Sequence, residues 1–343
     1  MISKIIAEDL ITKVKKAIDT VDKIVIVVHI GPDGDAMGSS LALWHYLMTI
    51  EKEPVIIIPN AFPGFLSWMP GIDCVLDYEK NKEASDELIA GADLIFTLDF
   101  NTASRMGDMA DSIINASADK ILIDHHLHSD TFAKIRVSYP EISSTSELIF
   151  RLICRMGDFS MINLACAECI YTGMMTDTGG FTYNSNNQEI YTIIAELIKL
   201  GIDKDDIYRK VFNTYSVDRL KLMGFCLFHK MKVYPEYRAA LITLTAKELN
   251  QFNYIIGDAE GFVNIPLSID GVIFSVFIRE DDKLNNLKIS LRSQGTFPAN
   301  KVAADLFNGG GHLNAAGGES SLSLEEAIRK FEEALPEYQD FLE

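Results

Sequence analysis

Residues 24–40, IVIVVHIGPDGDAMGSS, decide how the first half of the chain is read. Five β-branched aliphatic residues, Ile24 to Val28, run without a polar break. A half-exposed strand would alternate. An unbroken run fits a strand covered on both faces, as in a parallel sheet. After it come His29, a Gly-Pro pair, Asp33 and Asp35, and then small residues that open a helical pattern over 36–50. The sequence therefore predicts strand, polar turn, helix, with two carboxylates and an imidazole at the strand's carboxyl end. Open α/β sheets gather their functional groups at that edge.

The same pattern recurs outward from this stretch. Short continuous apolar segments at Lys23–Ile30, Pro54–Pro59, Ala92–Asp99 and Lys120–Asp124 read as strands, with helices such as 36–50 and 86–90 between them. Alternating strands and helices imply an α/β fold with a parallel, doubly wound sheet. From 143 to 201 the pattern is helical, with helices expected at 144–156, 161–175 and 187–200. Mixed-charge helices follow over 203–232. Strands return at Ala239–Leu244, Val272–Ile278 and Leu287–Leu291, with helices at Ala299–Asn308 and Leu324–Ala334. This predicts a first domain over 1–200, a helical connector over 201–235, and a smaller α/β domain with a mixed sheet over 236–343.

A chain of 343 residues with 48% hydrophobic and 23% charged residues has the composition of a soluble globular protein. Its apolar runs, near 24–30 and 54–59, fall well short of the roughly 20 residues that cross a bilayer. The N-terminal MISKIIAEDLITKVKKAID reads as an amphipathic helix and not as a signal peptide. Five scattered cysteines read as reduced thiols of a cytoplasmic protein, and Cys166 with Cys169 as part of a buried helix. The net charge of −18 argues against binding long duplex or single-stranded nucleic acid. A short anionic substrate is compatible with it, because bound divalent cations invert the local field.

Four segment ends carry metal-ligand chemistry: His29, Asp33 and Asp35; Asp99; Asp124, His125 and His126; and Asp177 before Thr178-Gly-Gly. Each group alone could be a turn or cap residue. Together at one sheet edge, these carboxylates would repel unless cations neutralised them. Carboxylates with imidazoles and no thiolates suit Mn²⁺ or Mg²⁺. The Asp33-Gly-Asp35 pair can feed two metals and a third carboxylate can bridge them, the arrangement that attacks phosphorus. An EF-hand is excluded by Met37 and Trp44 at the fifth and twelfth loop positions, and a P-loop by the missing Lys after Gly38. In the second domain, Arg292 and Ser293 end a strand. Gly309, Gly310 and Gly311 precede His312, a run whose exposed N–H groups could form an anion-binding nest.

The set HIGPDGD, LDF, DHH, TDTGG and GGGHLNAAGG, in that order, resembles the DHH/DHHA1 phosphoesterase family over nearly the whole chain, and most of all its nanoRNase branch. The resemblance implies two metals. His29 and Asp33 would hold one, Asp35, His125 and Asp177 the other, and Asp99 would bridge them. His126 would act at the scissile phosphate, and Asp124 would orient the histidine pair. Arg292, Ser293 and His312, with Gly310 and Gly311, would grip the substrate across a cleft. His128 lies outside the motif and reads as structural. The expected substrates are short oligoribonucleotides, linear dinucleotides such as pApA and pGpG, and 3′-phosphoadenosine 5′-phosphate (pAp). Apolar stripes in the helical middle region could serve a homodimer or only the core. Two alternatives stand beside this reading. A pyrophosphatase or exopolyphosphatase would be expected to offer several Lys or Arg to its substrate, yet none lies between Val302 and Glu326. A non-catalytic nucleotide- or RNA-binding module would be expected to have lost a ligand, and all six positions are filled.

Overall fold

The computed structural model describes residues 3–127, 130–281 and 286–341, so His128 lies outside the described residues. The chain divides into two compact units, Met1–Thr214 and Tyr215–Glu343. Among the described residues, no helix is long and apolar enough to cross a membrane.

In the first unit, α1 (Glu8–Asp19) leads into β1 (Lys23–Val27), α2 (Gly34–Thr49), β2 (Glu53–Ile58), β3 (Val75–Asp77), α3 (Lys82–Ala90) and β4 (Leu94–Leu98). Then come α4 (Ala110–Asn115), β5 (Asp119–Asp124), β6 (Ile135–Ser138), α5 (Thr145–Arg155), α6 (Leu164–Asp177), α7 (Gln188–Lys199) and α8 (Lys204–Phe212). The six strands form one parallel sheet in the order β3-β2-β1-β4-β5-β6. The unbroken apolar run of β1 has a direct cause. Ile24, Ile26 and Val28 enter a core with residues of α2, α5 and α6, while Val25 and Val27 enter another with Ile89 of α3 and Ile113 of α4. Strand order reverses between β1 and β4, the switch point at which doubly wound sheets bind ligands.

The second unit contains α9 (Val217–Phe225), β7 (Lys232–Tyr234), β8 (Ala239–Leu244), α10 (Ala246–Gln251), β9 (Phe274–Asp281) and β10 (Asn286–Ser293). It continues with α11 (Ala299–Phe307), β11 (Gly310–His312), β12 (Ala315–Ser320) and α12 (Leu324–Ala334). Its sheet is mixed, in the order β11-β12-β10-β9-β8-β7, with β8 and β9 parallel and the other pairs antiparallel. Leu287, Ile289 and Leu291 of β10 point into one core with Val302 and Phe307 of α11 and Phe331 of α12. The helical stretch after residue 201 is shared: α8 packs into the core of the first unit, and α9 contributes Leu222 to a core of the second.

Candidate metal centre

The switch-point edge collects the polar groups of the first unit. His29 follows β1 and is buried, with 3% of its surface exposed. Its Nδ1 donates to the Ile30 carbonyl at 2.9 Å, since a carbonyl only accepts. Its Nε2 is left 3.5 Å from Asp99 Oδ2 and 3.7 Å from Asp33 Oδ2. Asp33 is the N-cap of α2: Oδ1 accepts the N–H groups of Asp35 and Ala36, and Oδ2 faces the cluster.

His125 is built in the same way. Its Nδ1 donates to the Ile142 carbonyl at 3.1 Å, and its Nε2 lies 3.6 Å from Asp99 Oδ1, 3.5 Å from Asp177 Oδ2 and 3.9 Å from Asp35 Oδ2. Asp177 is the last residue of α6. Asp99 follows β4 in the left-handed region at φ 64°, a conformation costly for a residue with a Cβ and concentrated at functional sites. His126 Nδ1 pairs at 2.7 Å with Oδ1 of Asp124, whose other oxygen is buried with no hydrogen-bond partner among the described residues. All three imidazoles are thus anchored through Nδ1, the tautomer control seen around metal-bound histidines.

Within the first unit, among the described residues, the sets with ligand atoms within 4.8 Å of one another are His29, Asp33 and Asp99; Asp35, His125 and Asp177; and Asp99, Asp124 and His126. Hard carboxylate oxygens with neutral imidazole nitrogens fit Mn²⁺ or Mg²⁺ and not a thiolate-bound metal. The free thiols Cys166 and Cys169 are buried in α6, and Cys166 is pushed up to about 12 by burial.

The electrostatics of the protein alone show the same demand for positive charge. His29 rises to about 10 because its Asp33 and Asp99 partners outweigh burial, and His125 rises to about 9, with Asp177, Asp99 and Asp35 outweighing burial. Burial, then repulsion by Asp99 and Asp177, holds Asp35 well above the usual carboxylate range. Burial and the Asp99 and Asp33 charges lift Asp177 to about 6, although His125 opposes them. For Asp33 and Asp99, desolvation is outweighed by the hydrogen-bonded His29, and both stay below the usual range. These carboxylates therefore favour the protonated form of both imidazoles at neutral pH.

Two supporting features were not legible in the sequence. Glycines let α2 and α6 touch: a Cβ at Gly38 would lie 2.8 Å from the Cys169 carbonyl oxygen and from Gly173 N and Cα. This contact brings Asp35 on α2 towards Asp177 on α6. Secondly, the first turn of α5 serves two carboxylates of the cluster. Thr145 and Ser146 donate their N–H groups to Asp35, and the Thr145 hydroxyl donates to Asp99. The Ser-Ser-Thr-Ser-Glu run at 143–147 could only be read as a helix start.

In the second unit, the register pairs Arg292 with Ala315 and Ala315 with His312, so Arg292 and His312 lie on one face, two strands apart. The Arg292 Nη1 donates to the Leu291 carbonyl at 2.9 Å, and the Ser293 hydroxyl donates to the Phe297 carbonyl at 2.7 Å. Gly310, Gly311 and His312 form β11, so the glycine-rich run is part of a hairpin and not an open loop. Cβ atoms at Gly309 and Gly311 would collide with backbone at Gly317 and Ala315, whereas Gly310 has open space. Close strand approach accounts for two of the three glycines.

The fold and this donor set define the DHH phosphoesterases. The model of the DHH family, N-terminal domain, matches residues 23–174, and that of the DHHA1 domain matches 241–340. A bifunctional oligoribonuclease and PAP phosphatase NrnA from Thermus thermophilus is 30% identical over 96% of this chain and 93% of its own length. The protein of the same name from Bacillus subtilis is 27% identical over 93% of this chain and 95% of its own. The crystal structure of an exopolyphosphatase-related protein from Bacteroides fragilis is 58% identical, with a TM-score of 0.95 over 99% of both chains. The chain belongs to the DHH family and is a phosphoesterase of that metal-dependent group.

Proposed function

We propose that the chain hydrolyses short oligoribonucleotides, including pApA and pGpG, to mononucleotides, and pAp to AMP. The observation that carries this reading is the pair of half-sites at the β1/β4 switch point, each an Nδ1-anchored imidazole facing carboxylates, with Asp99 turned towards both. The names and full-length match of the Thermus and Bacillus relatives support the substrate class. His29 and Asp33 would hold one divalent cation, Asp35, His125 and Asp177 the second, and Asp99 would serve both; Mn²⁺ or Mg²⁺ suits the donors. Such ions supply a nucleophile at neutral pH and neutralise phosphoryl charge.

The chain's own groups do the rest. Asp124 holds His126 through Nδ1, and the protonated His126 would donate to the leaving oxygen. Arg292 binds a substrate phosphate, His312 adds a donor from the same sheet face, and Ser293 steadies the turn behind them. Few phosphates can be neutralised by a chain of net charge −18, which favours short substrates.

A second reading, hydrolysis of inorganic polyphosphate, is suggested by the name of the Bacteroides relative. Against it stands the absence of Lys and Arg between Val302 and Glu326. The test is a hydrolysis panel with Mn²⁺: pAp, pApA, pGpG, RNAs from dinucleotides to long strands, pyrophosphate and polyphosphate. Rapid cleavage of dinucleotides, fading with length, is the expected result. Activity confined to pyrophosphate or polyphosphate would replace this reading with the second.

A further inference from the structure

Thr145 stands between two carboxylates, Asp35 and Asp99, that both face His125, and Asp99 faces His29 as well. Its N–H donates to Asp35 Oδ2 at 2.6 Å, and its hydroxyl donates to Asp99 Oδ1 at 2.8 Å. Ser146 N–H reaches the other Asp35 oxygen at 2.9 Å. Thr145 is fully buried, so water does not compete for either bond.

The Asp99 oxygens are divided. Oδ1 lies 3.6 Å from His125 Nε2, and Oδ2 lies 3.5 Å from His29 Nε2. The torsion about a carboxylate's last bond is broad and roughly two-fold, so Asp99 does not choose the tilt of its own plane. The Thr145 hydroxyl chooses it, from a β-branched side chain with few rotamers on the first turn of α5. A helix-capping role for Asp35 would explain the two N–H bonds, which satisfy orphan donors of that turn. It does not explain a hydroxyl aimed at a second carboxylate on another element.

We infer that Thr145 is a positioning residue: it fixes the plane of Asp99 so that each oxygen serves a different half of the centre, and it ties that plane to Asp35. The inference rests on the reading of Asp99 as a shared ligand. Removing the hydroxyl leaves all the ligands in place but frees the carboxylate that links them. Partners that orient metal ligands typically contribute 10–100-fold to affinity.

The experiment uses the full chain, stripped with chelator and titrated with Mn²⁺ by calorimetry and by electron paramagnetic resonance. Thr145→Val removes the hydroxyl with little change of shape and keeps the N–H. Thr145→Ala is a second hydroxyl-free variant should valine not fit, and Thr145→Ser restores the donor. Wild type is expected to bind two ions with a spin-coupled spectrum. In the hydroxyl-free variants, affinity for the ion pair should fall about 10–100-fold and the coupled signal should disappear at concentrations that saturate wild type. Thr145→Ser should recover both, which a merely structural role would not require. If wild type couples two ions and the hydroxyl-free variants match it, the role of Thr145 is overturned while the metal reading stands. If wild type itself binds no coupled pair, the metal reading falls and this inference with it.

Discussion

Gly38→Ala sets two physical effects against each other. In a helix interior, replacing Gly by Ala normally gains about 0.8–1 kcal/mol. At Gly38 the new methyl would lie 2.8 Å from the Cys169 carbonyl oxygen and from Gly173 N and Cα. All three are backbone atoms, so no rotamer change relieves the contact, and α2 and α6 must separate by roughly 1 Å to reach ordinary carbon contact distance. Overpacking of this kind costs about 1–3 kcal/mol, and the helix-propensity gain offsets part of it. The net expectation is a loss of up to about 2 kcal/mol, or a fall in Tm of up to about 8 °C for a unit of this size. The separation also moves Asp35 away from Asp177, so Mn²⁺ should raise the Tm of the variant less than that of wild type. Calorimetric unfolding in chelator and in Mn²⁺ measures both effects. Gly224→Ala is the matched control: it lies in α9 with nothing within 4 Å of the added methyl and should stabilise by about 0.5–1 kcal/mol. A Gly38→Ala protein with unchanged or higher Tm and full metal response would refute the close-packing account.

Four further outcomes follow from the site. His29 and His125, raised to about 10 and about 9, stabilise the metal-free protein below about pH 6.5, and that contribution is lost as pH rises through their folded values. Asp177, raised to about 6, acts in the same sense at lower pH, so the Tm gain from saturating Mn²⁺ should grow from pH 6 to pH 9. Binding at pH 7.5 should release protons in calorimetry across buffers of different ionisation enthalpy, and a buffer-independent heat would contradict the protonated cluster. His126→Gln should lower kcat by about 10²–10⁴ while Mn²⁺ stoichiometry is retained, checked by single-turnover kinetics and metal titration. Arg292→Ala should raise KM for pAp about 10–100-fold, the value of a charge-assisted hydrogen bond, and unaltered steady-state kinetics would remove Arg292 from the substrate site.

The sequence was most legible where periodicity and burial agree. β1, β2, β4 and β5 are continuous apolar runs because both faces of the sheet are covered, and β8 and α12 occupy their expected bounds. The edge strands β3 and β6 were not visible, since a short edge strand lacks that pattern. β11 and β12 escaped because Gly and Ala have little intrinsic strand preference, and only the neighbouring backbone makes them strands. The grouping of His29, Asp99 and His125 could be expected from strand ends alone. Close approach through Gly38 and Gly173, and the aim of the Thr145 hydroxyl, depend on how three helices pack, which residue spacing does not encode.

The three imidazole anchors differ in their exposure to mutation. His29 and His125 each donate to a main-chain carbonyl, of Ile30 and Ile142, and replacing either side chain leaves that acceptor in place. His126 depends instead on the Asp124 side chain. On the proposed assignment, sequence drift can therefore retune or silence His126 through a single codon while His29 and His125 keep their anchors. Within such a lineage, the metal sites would outlast the reaction that they serve.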